Sequence, residues 1–189
     1  MSSFKVPVYR DANLGLQKMQ PVIFSHGLTG QRLTYSAIYM ELASCGYCVI
    51  CISHDDKSAD FTPKAGLYDG NTPMYDEKTK HIQIGIRENE VLSLADEIMS
   101  QSFPASVSED WNDKKATFSK NLVLMGHSFG GITVLGAAKD CHHAVAIIAL
   151  DPWFWPRCSD TIGAAEHQKV FMVMTEHFPS AVTNAKGSG

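Results

Sequence analysis

One stretch constrains the fold of this chain more than any other: Leu122-Val123-Leu124-Met125-Gly126-His127-Ser128-Phe129-Gly130-Gly131, an apolar run that ends in Gly-x-Ser-x-Gly. Asn121 to Met125 has the length and composition of a short buried strand, and Gly131 to Lys139 (Gly-Ile-Thr-Val-Leu-Gly-Ala-Ala-Lys) reads as a buried helix. A strand that turns at once into a helix leaves the corner residue on a sharp, exposed bend. The flanking glycines remove the Cβ atoms that would clash there. Ser128 occupies the corner and is the candidate nucleophile. A chain with 14 glycines can match Gly-x-Ser-x-Gly by chance, so the strand before the motif and the helix after it carry the reading.

The same alternation extends in both directions. Pro21 to Ser25 reads as a strand, entering the loop His26-Gly27-Leu28-Thr29-Gly30; Tyr35 to Ser44 then shows apolar residues at helical spacing and stops before Gly46. Tyr47 to Ile52 is a continuous apolar run, the pattern of a parallel strand covered on both faces. Residues 53–80 are polar and broken by Pro63, Gly66, Gly70 and Pro73, as in a functional or mobile loop. From His81 to about Gln101 the spacing Ile84, Glu88, Val91, Leu94/Ala95, Ile98 predicts an amphipathic helix, and Phe103 to Lys120 a loop anchored by Trp111. Ala144 to Leu150 and Lys169 to Met174 are two further strands. Buried strands alternating with helices predict an α/β fold: one mostly parallel sheet, helices on both faces, and chemistry gathered at the carboxyl ends of the strands.

With 189 residues, 44% hydrophobic and 19% charged, the chain suits a single domain, 1–189, with a loop-rich lead-in at 1–20 and a tail at 179–189. A net charge of −4 offers no basic field for a phosphate backbone, so nucleic acid is not an expected partner. No apolar signal core opens the chain and no stretch has membrane-spanning length, which predicts a cytoplasmic protein without a transmembrane segment. The five cysteines are an odd number, and Cys45, Cys48 and Cys51 lie in or beside a strand, where they act as small apolar residues. No metal and no cofactor are expected.

A serine hydroxyl needs a base to take its proton and an acid to orient that base, and on a nucleophile elbow the chain order is Ser, acid, His. Asp151, at the end of the strand after the elbow helix, is the candidate acid; the competing reading is a cap of the turn before Pro152. Glu176 is the reserve. The oxyanion donors would be the backbone N–H of Phe129, after the serine, and that of Leu28 in the first loop. Of the eight histidines, only His177 follows a strand at the same edge without belonging to another motif, so it is the candidate base. The alternative for His177 is a solvated surface residue. Trp153, Phe154 and Trp155 lie beside the acid and either line an acyl pocket or pack on the sheet edge.

Taken together, Phe24-Ser25-His26-Gly27-Leu28, Tyr35-Ser36-Ala37-Ile38, Leu42-Ala43-Ser44-x-Gly46-Tyr47, His54-Asp55-Asp56-x-Ser58-Ala59, Arg87-Glu88-Asn89-Glu90-Val91, Gly126-His127-Ser128-Phe129-Gly130-Gly131 and Leu150-Asp151-Pro152-Trp153-x-Trp155-Pro156 resemble the platelet-activating-factor acetylhydrolase family. That family is the calcium-independent phospholipase A2 group of the serine α/β-hydrolases. The resemblance runs from about Pro21 to Phe178. It implies an α/β-hydrolase core and hydrolysis of a short or oxidised sn-2 acyl chain of a phospholipid through an acyl-enzyme on Ser128. Asp151 inherits the acid role, and Leu28 and Phe129 the oxyanion role. A phospholipid or small ester substrate and peripheral contact with a membrane follow from it.

Two departures stand out. The family writes His-Arg-Asp where this chain has His54-Asp55-Asp56, and its catalytic histidine follows a further strand, for which residues 179–189 offer no histidine. The family's N-terminal strands are likewise missing or shortened before Pro21. An incomplete sheet would invite a strand from a protein partner. Two other functions stay open: a catalytically impaired fragment serving as a structural or binding module, and a different small carboxylesterase on the same fold.

Overall fold

The computed structural model describes residues 18–64, 66–68, 70, 76–100, 117–155 and 163–176. In chain order these form β1 (Lys18–Ser25), α1 (Ser36–Ser44), β2 (Tyr47–Cys51), a small antiparallel pair β3 (Phe61–Thr62) and β4 (Gly66–Leu67), α2 (Glu77–Met99), β5 (Thr117–Phe118), β6 (Leu122–His127), α3 (Phe129–Ala138), β7 (Ala144–Leu150) and β8 (Lys169–Val173). The main sheet runs β2-β1-β6-β7-β8, with β5 beside the start of β1. Every pair in it is parallel. All strand carboxyl ends therefore lie on one rim.

The pleat decides which side chain meets which helix. Val22, Phe24, Val123 and Met125 point to one face, where Tyr35, Ile38, Tyr39 and Leu42 cover them. Their neighbours Ile23, Leu122 and Leu124 point to the other, against Val91, Ala95 and Ile98 of α2 and Val134, Leu135 and Ala137 of α3. Strands with both faces apolar thus sit between helix layers, as the unbroken runs predicted. Each fully buried Ile or Leu here contributes about 1.5–3 kcal/mol relative to exposure.

Several element boundaries move. β1 begins at Lys18, ahead of Pro21, because β5, inside the segment read as loop, pairs with Lys18 and Met19. α2 starts at Glu77, capped by Asp76 accepting from the Thr79 N–H at 3.0 Å. Its buried stripe is Ile84, Arg87, Val91, Ala95 and Ile98, with Arg87 in place of the expected Glu88. β2 is an outer strand of the described sheet, with both faces still covered: Cys48 and Ile50 pack on the α2 and α3 side and Val49 on the α1 side. β8 is the outer strand at the other side, and Val170, Phe171, Met172 and Val173 are 40–62% exposed. Trp111, most of the 1–20 lead-in, His177 and the 179–189 tail lie outside the described residues.

Candidate active site

The turn from β6 into α3 is tight because its glycines let backbone touch backbone. A Cβ on Gly126 would stand 2.2 Å from the Gly130 carbonyl oxygen, and one on Gly130 would stand 2.0 Å from that of Ser25. Between them Ser128 takes φ 54° and ψ −115°, a conformation that costs a non-glycine residue on the order of 1–3 kcal/mol. Neighbouring segments hold it there. Its N–H donates to the Leu150 carbonyl at 2.9 Å, and its own carbonyl accepts from Trp153 N–H at 3.0 Å and Ile132 N–H at 3.2 Å. Phe129, the first residue of α3, is fully buried, and its N–H belongs to the helix N-terminus, where backbone donors lack intrahelical partners.

The loop after β1 lies against this corner: a Cβ on Gly27 would be 3.4 Å from the Ser128 Cβ. Gly27 N–H donates to the Tyr35 hydroxyl at 3.1 Å, and that hydroxyl shares a 2.8 Å hydrogen bond with His127 Nδ1. Tyr35 thereby joins the loop to the elbow. Gly30 N–H closes on the Gly27 carbonyl at 3.1 Å and Thr29 N–H on the Ser58 carbonyl at 2.7 Å. Leu28 packs on the cluster of Ile84, Phe129, Ile132 and Trp153. The two expected oxyanion donors, Leu28 and Phe129, are thus brought to one place.

Beneath the loop is a buried polar network. Arg87 donates through Nε to Asp56 Oδ2 at 2.8 Å and through Nη1 to the His26 carbonyl at 2.7 Å, and it also bonds the Ser58 hydroxyl. Both side chains of the Arg87–Asp56 pair are fully buried. His54 Nε2 meets Ser25 Oγ at 2.7 Å and its Nδ1 meets Glu90 Oε2 at 2.6 Å. The His54 N–H donates to His26 Nε2 at 3.2 Å, which leaves His26 Nδ1–H to donate to the Gly27 carbonyl at 2.7 Å. Burial, reinforced by the Arg87 charge, lowers the His26 pKa to about 4 and holds His54 well below the ordinary histidine range. Both imidazoles are therefore neutral at pH 7, and His54–Glu90 is a hydrogen bond rather than an ion pair. Burial raises the Glu90 pKa.

Asp151 leaves β7 where Ser128 leaves β6, one residue beyond the register pair His127 and Leu150. Its φ is 42° and its N–H donates to the Val173 carbonyl at 2.7 Å. Thr175 occupies its carboxylate: the Thr175 N–H donates to Oδ1 at 2.5 Å, and the hydroxyl lies 3.1 and 3.0 Å from the two oxygens. Burial lowers the His127 pKa while the Asp151 charge raises it. Glu176 is exposed just beyond Thr175. Trp153 is buried at 5% exposure, edge-on to Phe129 at 5.7 Å and tilted on Trp155 at 5.4 Å, while Phe154 is exposed. Trp153 thus packs behind the Phe129 ring. Among the described residues no group of three or more His, Cys, Asp or Glu side chains is placed to hold a metal ion.

Arg87, Asp56, Ser58, His54 and Glu90 stand in the sequence motifs without a chemical role of their own. One signal was available: Arg87 falls on the same helix stripe as Ile84 and Val91, and a charge on an apolar stripe asks for a buried partner.

A parallel sheet that carries a strained serine corner at the carboxyl end of a central strand, with the next strand ending in an acid, is an α/β-hydrolase core. A solved ferulic acid esterase from Streptomyces cinnamoneus shares the fold, with a TM-score of 0.58 and 16% identity over 90% of this chain and 48% of its own. Within that class the chain belongs to the family described as platelet-activating factor acetylhydrolase, isoform II, whose model matches residues 1–187. It is 31% identical to the platelet-activating factor acetylhydrolase of Cavia porcellus, over 95% of this chain and 45% of that protein, and 28% identical to that of Gallus gallus, over 90% and 47%. A putative phospholipase A2 of Schizosaccharomyces pombe is 28% identical over 70% of this chain and 38% of its own. The chain spans less than half the length of these relatives.

Proposed function

We propose that this chain is the nucleophile-bearing core of a carboxylic ester hydrolase that cleaves short or oxidised sn-2 acyl chains from phospholipids. The observation that carries the reading is Ser128 at φ 54° on a glycine-cleared corner with the Gly27-Leu28 loop against it, in a chain that belongs to this family. The Ser128 hydroxyl attacks the ester carbonyl carbon and gives up its proton to a base, for which His177 is the candidate. The carbonyl oxygen, now an oxyanion, accepts from the Leu28 and Phe129 N–H groups. Collapse expels the alcohol, here a lysophospholipid, which takes the proton. Water then releases the acid from the acyl-serine by the same path. Asp151 is the proposed acid, and Trp153, Phe154 and Trp155 are the proposed acyl-side surface, with Trp153 packed between Phe129 and Trp155.

The thiols of Cys45, Cys48, Cys51 and Cys141 are free, which fits a reducing, cytoplasmic setting. No helix among the described residues is long and apolar enough to cross a membrane, and contact with lipid would be peripheral. A partner strand along β8 belongs to the same reading, supported by its exposed Val170, Phe171 and Met172.

One observation favours the impaired-module alternative: among the described residues the Asp151 carboxylate is bonded by Thr175 and not by an imidazole. A fluorophosphonate probe together with a 2-acetyl phospholipid decides between them. Labelling at Ser128 with acetate release, both abolished in Ser128→Ala, is expected. Absence of both from the folded wild-type chain would refute the hydrolase reading.

A further inference from the structure

The two oxyanion donors come from segments about a hundred residues apart in sequence, yet they must be aligned to within a fraction of an ångström. One side chain reaches both segments. Arg87 Nη1 holds the His26 carbonyl at 2.7 Å, two residues before Leu28. Its guanidinium carbon lies 4.6 Å from the centroid of the Phe129 ring, on which the Lys80 ammonium also sits at 5.8 Å. The loop beyond Leu28 is tied to the same cation at one remove, because Ser58, whose hydroxyl Arg87 bonds, accepts the Thr29 N–H at its carbonyl. Leu28 is thus bracketed on both sides.

Resting on the hydrolase reading above, we infer that Arg87 is a positioning residue for the oxyanion hole, fixing the Leu28 and Phe129 N–H groups relative to each other through the His26 carbonyl and the Phe129 ring. Three features fit this role better than a purely structural ion pair. Burying a guanidinium and a carboxylate is costly, and well-packed apolar residues would stabilise the fold as well or better. A planar guanidinium donates in several fixed directions at once while offering its face to an aromatic ring, which a lysine ammonium does not. The carboxylate partner itself is anchored, since Asp56 Oδ1 accepts from both the N–H (3.0 Å) and the hydroxyl (2.5 Å) of Ser58, the residue that holds Thr29.

The test uses Arg87→Lys, Arg87→Met and Asp56→Asn in the whole chain, each checked for cooperative melting. Residue-resolved amide hydrogen exchange and ester turnover are both measured. In Arg87→Met the Gly27, Thr29 and Gly30 amides are expected to exchange at least tenfold faster, with the β6 and β7 amides unchanged. Turnover should lose about a hundred- to a thousand-fold in kcat with KM within threefold, as for loss of one oxyanion donor. Arg87→Lys keeps a cation over Phe129 but loses the directed bond to the His26 carbonyl, and should recover only part of kcat. Asp56→Asn should lose about tenfold. If Arg87→Met does not fold, the other two variants carry the same readouts. Loop exchange indistinguishable from wild type, or a loss carried by KM alone, would overturn the inference. If the wild-type chain turns over no ester, the hydrolase reading fails and the exchange rates still decide whether Arg87 clamps the loop.

Discussion

The two halves of the carboxyl rim are built differently. On the β1 and β6 side, the Gly27-Leu28 loop and the Ser128 corner rest on buried groups from β1, the 54–58 segment, α2 and α3, tied through Arg87, Asp56, Ser58, His54 and Tyr35. On the β7 and β8 side, Asp151 has exposed Thr175 at its carboxylate, and β8 is exposed along its length. In a charge-stabilising device the donors must stay fixed while the reacting charge develops, which demands overdetermined backbone. A carboxylate at a solvated edge, by contrast, can exchange one partner for another at little cost. The buried polar groups of this chain thus gather around the Gly27-Leu28 loop and the Ser128 corner rather than around Asp151.

The largest effect expected from that contrast is chemical. Ser128→Ala should lower ester turnover on the order of a million-fold while leaving the melting temperature unchanged or slightly raised, because alanine removes the reacting oxygen from a strained site. A comparable loss from Thr175→Val would break the contrast.

Next is packing on the overdetermined side. Gly130→Ala would place a methyl 2.0 Å from the Ser25 carbonyl oxygen, and backbone cannot yield as a flexible side chain does. A destabilisation of about 3 kcal/mol or more is expected in urea unfolding.

Acid should loosen the same side. Above pH 6.5 His26 is neutral whether the chain is folded or unfolded. Between 6.5 and about 4 the unfolded chain binds a proton that the folded chain refuses, so stability falls as the pH falls through that window. His26 alone accounts for up to about 3 kcal/mol, and His54, lowered in the same direction, adds to it. Glu90, whose pKa is raised, binds its proton more readily in the fold and opposes part of the loss. Urea midpoints at pH 7 and pH 4.5 measure the net change. A midpoint that rises in acid would contradict the neutral-histidine network.

The smallest effect belongs to the open side. Thr175→Val removes the hydroxyl contact with Asp151 at an exposed rim, and a change within about 0.5 kcal/mol is expected. A larger one would mean that the Asp151 edge is as rigid as the Leu28 side.

Five strands of the main sheet were legible because each is a run of apolar residues bounded by glycine or polar punctuation, whereas the two-residue strands β3, β4 and β5 lie in stretches read as loop because they carry no such run. Ala144 to Leu150 was read to the residue. Boundaries failed where a distant partner decided them: Lys18 and Met19 become strand only because Thr117 and Phe118 lie beside them. The stripe of α2 was misassigned at Glu88 because helical periodicity favours 87 and 88 almost equally, and only the buried Asp56 carboxylate makes Arg87 the inward residue. The candidate base was read from position alone, as the histidine after the last strand, and His177 lies outside the described residues.

Sequence by itself determined the order of the helices and of the longer strands and, through strand ends and glycines, that Ser128, Asp151 and the Leu28 loop share one rim. These are local properties, set by hydrophobic period and by where a Cβ is absent. The tertiary structure alone decided what holds that rim. The His26 carbonyl lies 61 residues before Arg87 in the chain, and the Phe129 ring belongs to another helix, well beyond it. Whether a guanidinium is buried, paired and stacked depends on the summed desolvation and Coulomb energies of groups from several elements, and no local pattern encodes that sum.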